Sequence, residues 1–310
     1  MKSDPVFLGI DTSNYTTSAA AVDAHGNILA DNRRLLEVKR GEKGLRQSDA
    51  LFQHWKALPD ILTPILSEYR DRIVCVCSSV RPRPAEGSYM PVFTAGTNIG
   101  RVTAEALGVR YTETSHQQMH LYSAAHGNDV DMSRPVLLCH LSGGTLEFVD
   151  VRGEIHDIAF ATKDISYGQL LDRLGVDLGF PFPAGRYIDE AAVGMAQEGR
   201  KNPFKRVFMD GTGLNLSGLE TALRTAEKDL SPQECAYFAM ESIAESFCRA
   251  VEKVKKSIGT EQVLVCGGVA SSRFLRNYCE GRGYMFGDPR LCSDNAVGCA
   301  LYAGTHYDNG

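Results

Sequence analysis

No stretch of this sequence approaches the roughly 20 consecutive apolar residues that a helix needs to cross a bilayer. Nor does the opening Met1-Lys-Ser-Asp-Pro5 lead into a long apolar segment of the secretory kind; it runs straight into a short strand-like stretch. The expectation is a cytoplasmic protein without membrane attachment. Cys-x-x-Cys pairs are also missing. Nine cysteines are an odd number, and Cys75, Cys77, Cys139 and Cys266 sit inside apolar strand-like runs, as reduced core residues do. Positive charge is in short supply: 33 Lys+Arg against 38 Asp+Glu leave a net charge of −5, which argues against gripping nucleic acid over a broad surface. Two local basic groups remain, Arg33, Arg34, Lys39, Arg40, Lys43 and Arg46 in one, Lys253, Lys255 and Lys256 in the other. A solvated face would explain either. No Pro-, Gly- or Ser-rich linker divides the chain.

What the chain does have is size and pattern. At 310 residues, 43% hydrophobic and 23% charged, it can build two lobes, each with its own core. Val6 to Ile10, a polar turn from Asp11 to Thr17, Ser18 to Val22 and a turn into Ile28 predict strand, turn, strand, turn, strand. The same order returns about 130 residues later in Val136 to Leu141, Ser142-Gly-Gly-Thr145, Leu146 to Val149 and Asp150 to Glu154. Such self-similarity predicts a duplicated α/β unit, two lobes with a nucleotide cleft between them, although two hairpins can look alike by chance. Helical periodicity covers Gln47 to Ser67, where Pro59 and Pro64 should break the helix or start a turn, and also Asn98 to Leu107 and Pro232 to Ile258. A final strand, Gln262 to Cys266, passes through Gly267-Gly268 into a helix over 269–277.

Within this frame, His116 and His120 lie four residues apart on one predicted helix, capped by Ser115 and closed by Gly127. Their imidazoles share a helical face, and the turn Cys292-Ser-Asp294-Asn295 offers a carboxylate as third ligand. Two imidazoles and one carboxylate suit iron, zinc or manganese. Surface or core histidines at this spacing are equally compatible with the bare sequence. Gly143 and Gly144, between Ser142 and Thr145, free backbone N–H groups to converge on a phosphate. Gly267 and Gly268 end a strand before a helix N-terminus, which suits an adenosine or its phosphate. Asp172 stands among leucines, where a carboxylate needs a ribose hydroxyl, a cation or an exposed position. Ser217 is placed to cap the helix after Asn215.

These motifs resemble, in order and spacing over nearly the whole chain, the tRNA N6-adenosine threonylcarbamoyltransferase family, within the actin-like ATPase superfamily. Leu8-Gly-Ile-Asp-Thr-Ser13 resembles the family's Gly-Ile-Glu-Thr-Ser opening, and Ser115-His116-Gln-Gln-Met-His120-Leu121 its His-His-x-x-x-His-Leu motif. Ser142-Gly-Gly-Thr145 is similar to Ser-Gly-Gly-His-Thr, Gly168-Gln-Leu-Leu-Asp172-Arg to Gly-Glu-Ala-Phe-Asp-Lys, and Pro183-Ala-Gly185 to Pro-Gly-Gly. Asn215 to Ala222 resembles Phe-Ser-Gly-Leu-Lys-Thr-Ala, Gly267 to Arg273 resembles Gly-Gly-Val-Ala-Ala-Asn-Arg, and Cys292 to Asn295 resembles Cys-Thr-Asp-Asn.

The resemblance implies a duplicated actin-like (ribonuclease H-like) fold, with residues 1–130 and 292–310 as a metal-bearing lobe and 131–291 as a nucleotide-bearing lobe. It implies iron or zinc on His116, His120 and Asp294, with Ser142, Gly143, Gly144, Thr145, Asp172, Gly185 and Ser272 facing an adenine nucleotide or threonylcarbamoyl-AMP. The implied reaction moves a threonylcarbamoyl group to the adenosine beside the anticodon. The implied partners are tRNA, met through a local basic patch, and related threonylcarbamoylation proteins; a dimer is compatible with it. Some positions depart from the family pattern. Asn14-Tyr-Thr-Thr17 replaces an acidic Cys-Asp-Glu-Thr run, Ser115 replaces the first histidine, the histidine between Gly144 and Thr145 is missing, and Ser272 replaces an asparagine. They describe a divergent branch, or a paralogue that binds metal and nucleotide but serves another carbamoyl acceptor or a partner enzyme. A kinase of the same superfamily would need a carboxylate base in the Asn14 to Thr17 turn. A metallopeptidase would need a glutamate after His116.

Overall fold

Apolar, small and β-branched residues fill the first two strands, β1 (Val6–Asp11) and β2 (Thr16–Asp23), and every residue of both is buried. A strand covered on both faces has no solvent side for polar residues to occupy. The computed structural model describes residues 4–13, 15–38, 45–195 and 201–307; Lys39, Arg40 and Lys43 of the first basic group, and Asn14, lie outside the described residues. β2 pairs antiparallel with β1 and with β3 (Ile28–Leu35), whose exposed and half-buried residues suit a sheet edge. On its other side β1 pairs parallel with β4 (Ile73–Arg81), which pairs parallel with β5 (Arg110–Ser115), giving the order β3-β2-β1-β4-β5. Helices α1 (Gln47–Tyr69), α2 (Phe93–Leu107), α3 (His116–Ala125) and the last helix of the chain, α9 (Val297–Thr305), complete a unit of residues 1–126 and 294–310.

The second unit, residues 127–293, repeats that topology. β6 (Val136–Leu141), β7 (Leu146–Arg152) and β8 (Glu154–Thr162) form the antiparallel meander, and β11 (Val263–Cys266) and β12 (Met285–Phe286) add in parallel beside β6. The order β8-β7-β6-β11-β12 therefore matches β3-β2-β1-β4-β5 strand for strand and direction for direction, as the internal repeat in the sequence predicts. β10 (Gly213–Asn215) and β9 (Phe208–Met209) extend the edge at β8. Helices α4 (Tyr167–Asp177), α5 (Gly185–Met195), α6 (Ser217–Ala226), α7 (Pro232–Ile258) and α8 (Arg273–Tyr278) complete the unit, with α7 lying against β6, β7 and β8 and the others packed around it. The central α7 starts at a capping box between Ser231 and Glu234 with Pro232 in the first turn, and stops at Gly259 in the left-handed region. Its buried face, including Phe247, packs on Phe148 and Phe160.

Three local expectations are corrected. Pro59 and Pro64 do not break the first long helix: α1 runs unbroken from Gln47 to Tyr69. The carbonyls that lose their N–H partners belong to Trp55 and Asp60, both on the exposed face. Burial of Leu58, Ile61, Leu62 and Ile65, at about 1.5–3 kcal/mol each, outweighs about 3 kcal/mol per proline. The segment after Gly267-Gly268 is not one helix. A 3-10 turn (Gly268–Ser271) comes first, and α8 starts afresh at Arg273 under the Ser272 hydroxyl, which accepts from the Leu275 N–H at 3.0 Å.

Ser217 is the first residue of α6 and not its cap. The capping role falls to Asp164, far back in the chain, whose carboxylate accepts from the N–H groups of Leu216 and Ser217, each at 2.9 Å. Burial opposes the charge on Asp164, but these donors outweigh it and hold its pKa at about 2. A depressed carboxylate stabilises the fold above its ordinary titration range and loses that contribution as pH falls through the folded value. Asp164→Ala is therefore expected to cost about 1–2 kcal/mol at neutral pH. Urea unfolding of both proteins from pH 6 downward should show the difference shrinking as the pH approaches 2.

Candidate metal centre

β5 hands the chain directly to α3, so His116 is the first helical residue and His120 sits one turn above it. The Ser115 hydroxyl caps the helix by accepting from the Gln118 N–H at 3.1 Å, and Gly127 takes a positive φ just beyond the helix end. The two imidazoles meet edge to face, with their Nε2 atoms 3.1 Å apart. Asp294 precedes α9, and its Oδ1 lies 3.5 Å from each Nε2. Both histidines are buried, while Asp294 keeps 20% of its side chain exposed, so the cluster has one open side.

Asn295 explains why Asp294 reaches the helix. Its wholly buried amide oxygen accepts from the N–H groups of Val297 (2.9 Å) and Gly298 (3.3 Å) at the start of α9 and from the Ser123 hydroxyl (3.0 Å) on α3. One side chain thus caps the second helix and ties it to the first. Gly298 permits the approach, because a Cβ there would lie 2.0 Å from the Met119 carbonyl oxygen and 2.5 Å from Ser123 Oγ.

Behind His116 stands Asp11, the wholly buried last residue of β1. Its Oδ1 is 3.2 Å from His116 Nδ1, and the hydroxyls of Ser13 and Ser79 donate to the same carboxylate. An Nδ1–H held by a carboxylate leaves the Nε2 lone pair facing the open side, the arrangement that orients metal-binding histidines. Burial works against a charge on His116, but Asp11 and Asp294 outweigh it and lift its pKa to about 10. His120, equally buried and facing that cation, is pushed below its ordinary value. Burial disfavours both carboxylates as well, yet the histidines hold Asp11 and Asp294 below the usual range. A divalent cation bound at Nε2 would displace a proton from His116, so uptake would be coupled to proton release.

The donor set fits such a cation. The ligand atoms of His116, His120 and Asp294 all lie within 4.8 Å of one another. The separations of 3.1, 3.5 and 3.5 Å admit a point about 2.0 Å from all three atoms, the distance at which imidazole and carboxylate bind zinc. Asp11→Asn, which keeps the shape but removes the orienting charge, is expected to weaken metal binding about 10–100-fold. Competition against a chromophoric chelator measures this. Asp11 is given no site role in the sequence reading; its signals there are a carboxylate closing an otherwise apolar strand and its place in the Gly-Ile-Asp-Thr-Ser opening.

The other predicted site residues lie in the second unit. Ser142 Oγ gathers the N–H groups of Gly144 (3.3 Å) and Thr145 (2.9 Å), so the glycine turn folds about its own hydroxyl; Gly143 and Gly144 are exposed. Gly267 has φ 90°, and a Cβ there would lie 2.3 Å from the Leu141 oxygen, so β11 leaves the sheet pressed against the start of this turn. Asp172 and Gly185 meet: the Asp172 carboxylate accepts from the Ala184 N–H at 2.8 Å and from the Gly185 N–H, fixing the start of α5. Burial nevertheless raises the Asp172 pKa. Ser272 donates to Asp189 of α5, whose carboxylate also accepts from the N–H groups of Arg273 (3.0 Å) and Phe274 (3.1 Å). Gly268 is open, with no atom within 4 Å of where a Cβ would be.

Comparison with known proteins bears on the fold and the family. Among solved structures, T. kodakarensis HypF superposes with a TM-score of 0.61 at 14% identity, covering 97% of this chain and 48% of that one. Component A of the Acidaminococcus fermentans (R)-2-hydroxyglutaryl-CoA dehydratase gives 0.58 at 15% identity, covering 97% and 98%. These likenesses establish the actin-like ATPase fold. Curated relatives named tRNA N6-adenosine threonylcarbamoyltransferase include those of Neorickettsia sennetsu, 25% identical over 309 residues (94% of this chain, 91% of the relative), and Chlamydia muridarum, 28% identical over 312 residues (94% and 89%). With the TsaD family model, described as tRNA N6-adenosine threonylcarbamoyltransferase, matching residues 53–301, the chain belongs to that family of transferases.

Proposed function

We propose that this chain transfers a threonylcarbamoyl group from threonylcarbamoyl-AMP to N6 of the adenosine beside the tRNA anticodon, with one iron or zinc ion held by His116, His120 and Asp294. The observation that carries the reading is the triangle of two Nε2 atoms and Oδ1, backed by Asp11 on the far side of His116. When bound, the cation supplies Lewis-acid stabilisation of the charge that develops as the mixed anhydride breaks. Asp11 keeps His116 in one tautomer and Asn295 keeps Asp294 in reach, so the ligands need little reorganisation during the reaction. In this reading residues 1–130 and 292–310 bear the metal, and residues 131–291 bear the nucleotide at Ser142, Gly143, Gly144, Thr145, Asp172, Gly185, Gly267, Gly268 and Ser272. Exposed, Cβ-free Gly143, Gly144 and Gly268 support close approach of a phosphate.

Cytoplasmic tRNA is the acceptor in this reading, and related threonylcarbamoylation proteins are the partners; a dimer is compatible with it. No helix among the described residues is long and apolar enough to cross a membrane. Arg33 and Arg34 are already paired with Asp31 and Asp60, so any basic patch for tRNA draws on further residues of the group.

A second reading, transfer to another acceptor or support of a partner enzyme, is favoured by the turn after β1. Thr12 donates to the Val92 carbonyl, Ser13 to Asp11, and Thr17 bonds His54. The hydroxyls of Thr12, Ser13 and Thr17 are spent internally, and residues 12–15 include no carboxylate to order an acceptor. Incubation of the purified protein with threonylcarbamoyl-AMP and unmodified tRNA, with and without candidate partners, followed by nucleoside mass spectrometry, separates the two. Modified adenosine that disappears in His116→Ala supports the first; its absence while adenylate and metal still bind supports the second.

A further inference from the structure

Nothing in the transfer reading uses a pair of thiols in the second unit. Cys248 on α7 and Cys279, which closes α8, face each other with Sγ atoms 3.7 Å apart. Neither is open to bulk solvent, but Cys248 borders a cavity of about 490 Å³ whose wall carries three cations, Arg249, Lys253 and Arg282, against two carboxylates, Glu245 and Glu252, with Tyr278 beside them. Arg249 is engaged by Glu245 and the Val207 carbonyl, while Arg282 lies over the Tyr278 ring at 5.9 Å. The hydrogen bond from Cys279 lowers the Cys248 pKa; burial, Glu252 and Glu245 work against this, and the Arg282 charge adds to it, so the thiolate is favoured on balance. A thiol with cationic neighbours and access from a cavity is reactive, whereas one sealed in an apolar core is inert.

We propose that Cys248 and Cys279 form a reactive dithiol, oxidised from this cavity by low-molecular-weight disulfides that carry carboxylates, with Cys248 as the attacking and Cys279 as the resolving thiol. Arg282 and Lys253 supply the charge that receives such a carboxylate. In the first step the Cys248 thiolate attacks one sulfur of the disulfide; the S–S bond breaks, a mixed disulfide forms, and the other half leaves as thiolate and takes up a proton. In the second, Cys279 loses its proton, its thiolate attacks Cys248 Sγ, and the remaining half leaves as a thiol. Two protein thiols are oxidised and one small disulfide is reduced to two thiols. The second step requires the two sulfurs to close from 3.7 Å to the roughly 2.0 Å of a disulfide. The product would tie α7 to the end of α8, the helix that Ser272 starts.

The test is incubation of the reduced, folded full chain with oxidised glutathione, followed by alkylation and peptide mass spectrometry. The expected product is a Cys248–Cys279 cross-link; Cys279→Ser should instead accumulate a glutathione adduct on Cys248, and Cys248→Ser should give neither. Cys77 and Cys299, which also hydrogen-bond but are wholly buried, serve as internal controls and should stay reduced. Should Cys279→Ser fail to fold, limited alkylation of the unaltered protein decides, with Cys248 expected to label about tenfold faster than Cys77 or Cys299. Absence of the cross-link, first reaction at Cys279, or labelling of Cys248 no faster than the controls would overturn the proposal.

Discussion

Alanine at His120 is expected to remove the metal from this protein and to reduce transfer to background. His120 supplies one of three donor atoms, and its Nε2 lies 3.1 Å from the equivalent atom of His116 and 3.5 Å from Asp294. Losing an orienting neighbour of a ligand already costs about 10–100-fold in affinity, so losing the ligand itself should cost more than about 100-fold. The loss should not be mistaken for unfolding. His120 is 1% exposed, and its removal opens a small cavity, so some drop in thermal stability is expected alongside. Metal content per chain after desalting, together with circular dichroism of the same sample, distinguishes the two. The expected result is a folded protein with no stoichiometric iron or zinc. Full metal occupancy in the variant would mean that the ligands have been misassigned.

The second large effect is steric. Gly298→Ala puts a methyl group 2.0 Å from the Met119 carbonyl oxygen, a backbone atom that cannot turn aside, so α9 must move away from α3. Overpacking of this kind costs about 1–3 kcal/mol and occasionally more; with backbone as the obstacle the upper end is expected. Since Asn295 ties the same two helices together and Asp294 sits beside it, the displacement should also weaken metal binding. Gly218→Ala is the matching control. Gly218 lies in α6 with no atom within 4 Å of a new Cβ, and the substitution should be neutral or stabilising by up to about 1 kcal/mol. Denaturant unfolding of the two variants gives the comparison. Equal stability would show that α3 and α9 are not as closely packed as described.

How much of this was legible in the sequence depends on how far apart the cooperating residues lie. The repeat of strand, turn, strand, turn, strand is local, and the two sheets reproduce it. The histidine pair is likewise local, one helical turn, with its own cap at Ser115. Asp11 is not legible in that way, because it meets His116 only after β1, β4 and β5 have paired, and no spacing rule links residues so distant. Asp164 is hidden for the same reason: it caps a helix that begins at Ser217, so a local reading assigns the cap to the nearest serine. Pro59 and Pro64 mislead because a propensity takes no account of which face of α1 they occupy; on the solvent side their missing N–H groups are tolerated. In the second unit, Asp172 and Gly185 could be named separately, but their meeting at the start of α5 is a product of the fold.

The central claim is that a metal held by His116, His120 and Asp294 serves the transfer reaction. Single-turnover transfer of isotope-labelled threonylcarbamoyl from its adenylate to unmodified tRNA, with candidate partners present, tests it most directly when chelator-stripped protein is compared with the same protein resupplied with iron or zinc. The account predicts label on adenosine only after resupply, and none in His120→Ala under either condition. Equal transfer by stripped and resupplied protein would contradict it.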